Sequence, residues 1–255
     1  MATAAEETRR RAWTPRVPLT AAERRVDFLA HNDHIVQRRR AVERHALPAA
    51  RKLAFAVAQF GLPTAAVQLD LQGALYVSLS RSVDFGYRQA QRELRGERPL
   101  IRAAVRLPGI GQRGRVALSG LAGIHGLLRE RAGLVAGDVA DTATATAHQA
   151  ETTPGMTEVG KTFAVREAVD KVLHNDVLQL VGEALNLGRA AGAMESRPVP
   201  EFAMRSEQLD KNTCEPCDHL HGEIVQVGSS DFFDLMPPSD CLGAGRCRGI
   251  YVFGQ

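Results

Sequence analysis

At 255 residues, with 44% hydrophobic but only 5% aromatic side chains, the chain can bury a core most easily built from packed helices rich in alanine and leucine. The formal charge of +3 is unevenly spread: residues 201–255 carry nine acidic and four basic side chains, net −5, so the preceding 200 carry +8. No run of 18 apolar residues exists, which excludes a membrane-spanning helix, and the basic body permits contact with nucleic acid or an acidic partner surface without requiring either.

Residues 1–19 read as a basic, proline-containing flexible arm with Arg9, Arg10 and Arg11, and with no apolar stretch of the kind a secretory signal needs. Residues 20–195 then read as a helical body. Thr20 and Glu23 have the spacing of a capping box, and apolar residues recur at helical spacing from Val26 towards Phe60. Pro48 should kink this helix or split it in two, and Gly61-Leu62-Pro63 ends it. A second helical region runs from Thr64 to about Leu94, with Gly73 and the following VSLS run as its weak point. Arg88, Arg92 and Arg95 fall on one side of it, as a solvated face or a nucleic-acid-facing stripe.

The glycines and prolines of residues 96–114 suggest a linker. Gly109-x-Gly111-x-x-Gly114 imitates a dinucleotide fingerprint but lacks the strand–turn–helix context and the acidic partner. Residues 115–150, with Gly120, Gly123, Gly126, Gly133 and Gly137, suggest helices broken by turns. Thr152-Thr153-Pro154-Gly155 is a turn. From Glu158 to about Met194 a long helix is expected, its apolar face outlined by Phe163, Val165, Val169, Val172, Leu173, Val177, Leu180, Val181 and Leu185. Gly160-Lys161-Thr162 has no glycine-rich stretch before it and falls inside this pattern, so it is no phosphate loop.

Residues 196–255 read as a small β-module. FAMRSEQLD, HGEIVQVG and the segment Gly249–Phe253 are extended, with a turn at Gly228-Ser229-Ser230-Asp231. All four cysteines lie here, as a C-x2-C pair (Cys214, Cys217) and a C-x5-C pair (Cys241, Cys247). Two such pairs across a loop fit a structural zinc site, and this is the favoured reading over two disulfides or buried thiols. His219 and His221 could each replace a cysteine ligand, although an exposed or hydrogen-bonded histidine is the commoner state. The fold class expected is therefore α+β: a mostly α-helical body with a small C-terminal β-module stapled by cysteine-ligated Zn(2+).

The chain from about Leu185 to Phe253 resembles the C-terminal part of the phage head morphogenesis family, the Mu F-like minor head proteins. Asn186-Leu187-Gly188-Arg189 is similar to that family's asparagine–glycine–arginine helix end. Asp210-x-x-Thr213-Cys214-x-x-Cys217 followed by His221-Gly222 matches its aspartate, threonine–cysteine, cysteine and glycine. Pro237-Pro238 and Arg246-Cys247-Arg248 match its closing segment. Asp240 and the five residues between Cys241 and Cys247 depart from the family's histidine–proline and tight cysteine pair, which makes Cys214, Cys217, Cys241 and Cys247 the natural ligand set. The resemblance covers about 70 residues. It implies a minor capsid protein of a tailed phage or prophage, found in the virion at the head interior or portal vertex and in host cytoplasm during assembly. Such a protein acts in procapsid assembly and in DNA packaging or delivery. Its expected partners are the portal protein and the major capsid or scaffold protein, with DNA reached through the basic arm and body and no membrane.

Two other functions compete. One is a zinc-containing nucleic-acid-binding module that uses the basic helical body, since the cysteine module itself is acidic. The other is an enzyme. Four cysteines would close a zinc to water, and the order of His221-Gly222-Glu223 after the cysteine pair is the reverse of a deaminase motif. Glu207 and Asp210 are most simply solvated carboxylates. No catalytic or cofactor-binding residue is assigned, and no enzymatic activity is expected.

Overall fold

A computed structural model describes residues 28–95, 122–206, 215–229, 232 and 249–253. Four long helices come first: α1 (Phe28–Phe60), α2 (Ala65–Leu94), α3 (Ala122–Thr152) and α4 (Glu158–Met194). After them come β1 (Phe202–Ser206), the one-turn helix α5 (Glu215–His219), β2 (Ile224–Gln226) and β3 (Ile250–Phe253). The expected arm at 1–19, the Thr20 capping box and the expected linker at 96–114 lie outside the described residues. No helix among the described residues is long and apolar enough to cross a membrane.

The helices end where local chemistry stops them. Gly61 takes a left-handed φ of 77° and its N–H donates to Val57 O, closing α1. Thr64 then caps α2, its hydroxyl accepting from the Val67 N–H at 3.4 Å. Gly155, with φ 78°, turns the chain between α3 and α4, and the Thr157 hydroxyl accepts from Gly160 N–H at 3.1 Å. At the far end of α4, the Ser196 hydroxyl donates to Ala193 O at 2.7 Å.

Two expectations inside the body are corrected and one is narrowed. Of the two outcomes expected at Pro48, the split is excluded: α1 is continuous from Phe28 to Phe60. The penalty of the missing N–H is overcome by burial on either side, at Ala46, Ala50, Leu53 and Val57. α3 is one continuous helix of 31 residues rather than pieces separated by turns. Its glycines are internal, and Thr144 and Thr146 donate their hydroxyls to Ala140 O and Thr142 O one turn back. Burial of Leu128, Ala132, Val135, Val139, Ala143 and Ala147 supplies the driving force that the glycines lack. On α4, Val165, Val169, Leu173, Val177, Leu180, Val181 and Leu185 are buried as expected, but Phe163 is 67% exposed.

The described residues fall into two compact units. One comprises Val36–Arg81 and Ala122–Val181, and the other the described parts of Met1–Ile35, Ser82–Leu121 and Gly182–Gln255. The first is purely helical. Within it α1 and α4 are antiparallel, as the pairs Glu43–His174 and Arg51–Asp170 show, each at 2.9 Å. α2 and α3 are antiparallel as well: Gln72 Nε2 donates to Arg129 O at 3.1 Å, and Tyr76 Oη meets His125 Nδ1 at 3.0 Å. The core is built from valine, leucine and alanine, as the composition implied.

The other unit holds the sheet. Its strand order is β2-β1-β3, all antiparallel, with Met204 opposite Ile224 on one side and Val252 on the other. Ala203, Val225, Tyr251 and Phe253 share one face and pack with Ala90, Ala190, Ala193 and Phe232. Phe232 stacks on Tyr251 with centroids 4.7 Å apart.

This cluster corrects the expected fold class. The body is mostly helical and the C-terminal module is a small three-stranded sheet, but the zinc staple is not borne out. Among the described residues no group of three or more His, Cys, Asp or Glu side chains could hold a metal ion. Phe232, Tyr251 and Phe253 pack with alanines of α2 and α4, and their burial gives the sheet hydrophobic support of its own.

Candidate functional site: the helix–strand junction

The most elaborate polar arrangement among the described residues lies where α2, α4 and β3 meet, all within the sheet-bearing unit. It begins with backbone contact. A Cβ added to Gly86 would collide with Leu185 O, and one added to Gly188 would collide with Val83 O. Only glycine lets these helix backbones approach so closely. Ala90, Ala190 and Ala193 continue the small-residue contact towards the sheet.

That close approach places Arg189 between three elements. Its side chain is 1% exposed and meets Glu93, itself 8% exposed. Both terminal nitrogens engage the carboxylate, Nη1 to Oε1 at 2.9 Å and Nη2 to Oε2 at 2.5 Å. This is the bidentate geometry in which a guanidinium matches a carboxylate. Nη2 also donates to Tyr251 O at 2.9 Å, and the guanidinium lies 5.7 Å from the centroid of Phe253. One turn earlier on α4, Asn186 Nδ2 donates to Gly249 O at 3.0 Å. Two side chains of a single helix thus hold two carbonyls on the approach to, and within, the last strand.

The junction is flanked by two further bonds, from α2 to α4 and to the residue that follows it. Gln91 Nε2 donates to Gly192 O at 2.5 Å, and Tyr87 Oη donates to Glu195 Oε2 at 2.9 Å. Burial and the bond to Glu195 push the Tyr87 hydroxyl up to about 12. These contacts clamp the last strand and its approach to α2 and α4, with the Arg189 and Glu93 charges engaged with each other. Asp176, a carboxyl of the helical unit, is displaced as well. Burial raises it first and Asp138 second, and its Oδ2 has no hydrogen-bond partner among the described residues.

Of the four cysteines expected to bind metal, only Cys217 is among the described residues, buried on α5. Cys214, Cys241 and Cys247 lie outside them, as do Glu207, Asp210 and the Gly109–Gly114 pattern. His219 is exposed and lies 3.8 Å from Glu215, one helical turn away. The expected Zn(2+) cofactor, and with it the description of the protein as metal-binding, is withdrawn: the described residues gather no ligand set. Lys161, rejected from the sequence as a phosphate-loop lysine, is held at 2.5 Å by Glu151. Arg88, expected on a solvated or nucleic-acid-facing stripe, is paired with Asp84 on its own helix.

Sequence reasoning picked out Asn186, Gly188 and Arg189 only through a resemblance, and it passed over Glu93 and Gly86. An arginine and two glycines at the end of an otherwise apolar helix were the available signal for a close, polar junction.

Compared with protein-family models, curated proteins and solved structures, the chain matches none. These comparisons lend no support to descriptions of the chain as a phage, capsid or portal-associated protein.

Proposed function

We propose that the chain is a structural component of a tailed-phage or prophage head, a minor capsid protein acting at or near the portal. Its role is in procapsid assembly and DNA packaging or delivery, and it is not an enzyme. One observation carries this reading. The helix-end residues through which the tail resembles the head morphogenesis family, Asn186, Gly188 and Arg189, are those that join α4 to α2 and to the closing strand. A motif committed to holding a sheet on a helix pair suits a protein that presents a surface. It does not suit one that turns over a substrate.

The partners that follow from this reading are the portal protein and the major capsid or scaffold protein. DNA contact is the weaker part, because Arg39, Arg51, Arg88 and Arg189 each lie against a carboxylate. Inactivating the gene in the phage or prophage that carries it tests the reading. The expected result is a loss of DNA-filled heads, restored by the wild-type chain and not by Arg189→Ala. An undiminished yield of filled, infectious heads would overturn it.

A further inference from the structure

Within the helical unit, α1 presents an exposed basic stripe. Between Val36 and Phe60 it holds six arginine and lysine side chains and one carboxylate. At about 100° per residue, Gln37, Arg40, Arg44, Lys52, Phe55 and Gln59 fall within an arc of about 120°. All of them are exposed. The carboxylate, Glu43, lies outside that arc and engages Arg39 and His174. Arg51, inside the arc, is engaged by Asp170. Arg40, Arg44 and Lys52 make no ion pair among the described residues, and Arg44 uses only its Nε, donating to Arg40 O at 3.2 Å.

We infer that this stripe binds single-stranded nucleic acid without reading its sequence. The charges decide the sign of the partner. From Arg40 to Lys52 the three unpaired cations span about 18 Å of helix, at a rise of about 1.5 Å per residue. Such a row meets successive phosphates of a strand and releases their counterions.

Phe55 decides which polyanion. Its ring is 57% exposed and lies one turn beyond Lys52 on the same face. A duplex keeps its base faces stacked, and a peptide carboxylate has no face to stack. An unpaired base lies flat on an exposed aromatic while the neighbouring cation holds its phosphate. Gln37 and Gln59, at the two ends of the stripe, offer neutral donors and acceptors to base or sugar. The stripe lies wholly on α1, so the inference holds whether or not the chain acts in a phage head.

Fluorescence anisotropy of a labelled oligothymidylate of about 20 nucleotides, titrated with the full chain between about 50 and 200 mM salt, tests it. Each phosphate contact on a single strand adds about 0.7 to the steepness of log K against log salt. Arg44→Gln combined with Lys52→Gln should therefore lower that steepness by about 1.4. Phe55→Ala should weaken binding about 5-fold or more and leave the salt dependence unchanged. The control pair Arg81→Gln, Arg129→Gln removes the same charge from exposed positions of α2 and α3 and should preserve the salt dependence. All of these side chains are exposed, so the helical circular dichroism should not change. Because variants of the full chain are compared, basic residues elsewhere cancel. No binding at the lowest salt would overturn the inference, as would an equal loss of steepness in the control pair or an unaltered affinity in Phe55→Ala. So would a duplex of the same length bound as tightly as the single strand. Competition by polyglutamate as effective as by unlabelled strand would also overturn it and assign the stripe to an acidic protein.

Discussion

Removing the Arg189 side chain tests the junction most directly. In Arg189→Ala the Glu93 carboxylate, 8% exposed, loses its bidentate partner, and Tyr251 O loses a donor. Breaking a buried ion pair by deleting one member costs about 3–5 kcal/mol, because the surviving charge remains desolvated. Against a total stability of about 5–15 kcal/mol, that is enough to unfold or badly loosen the sheet-bearing unit. The pair as a whole is worth far less than this figure, since desolvating both groups offsets most of their attraction. Arg189→Met combined with Glu93→Leu should therefore recover most of the loss. Urea unfolding followed by circular dichroism gives the free energies, and hydrogen exchange of the β3 amides locates them. A loss below about 1 kcal/mol in Arg189→Ala would refute the reasoning. A double variant as damaged as the single would refute it equally.

Three further outcomes follow, two from the sheet-bearing unit and one from the helical unit. Gly188→Ala should destabilise by about 3 kcal/mol or more, because its Cβ meets the backbone of α2, which cannot rotate away. Gly137→Ala, inside α3 with nothing within 4 Å of the new Cβ, should stabilise by about 0.5–1 kcal/mol. Thermal melts of the two variants check the contrast, and equal effects would contradict it. Tyr87 predicts an alkaline limit. Its folded value, about 12, lies above the ordinary 10.0, so the folded state holds the proton more tightly. The stabilisation it contributes is complete below pH 10 and is lost as pH rises towards 12. Tyr87→Phe should flatten that part of the stability profile, and an unchanged slope between pH 10 and 12 would count against the Glu195 bond.

The helices were legible in the sequence because their driving force is periodic. Val165, Val169, Leu173 and Val177 recur every four residues, and all are buried. Breakers were less legible. Pro48 and the α3 glycines each cost about 1–3 kcal/mol locally, and a buried flank on both sides outweighs that cost without leaving a sequence signal. The three strands were visible as extended segments. Their order was not, because β1, first in the chain, lies at the centre and pairs with β3 across more than 40 residues as well as with β2.

The cysteines drew the sequence reading towards metal because spacing is the only property a sequence shows of them. What supports the described sheet is three aromatic side chains and an arginine, and none of these announces itself by spacing. Phe232 and Tyr251 are 19 residues apart and stack, and Arg189 reaches Glu93 across 96 positions of chain. Such contacts depend on how closely two helices can approach, and Gly86 and Gly188 set that distance. In a sequence a glycine inside a helix reads as a weakness, costing about 1 kcal/mol relative to alanine. Here it brings two backbones together closely enough for Arg189 to reach both a carboxylate on one side and a strand carbonyl on the other. A tail that reads as a metal module is, in its described residues, the outer layer of a helix pair, and its integrity follows from α2 and α4.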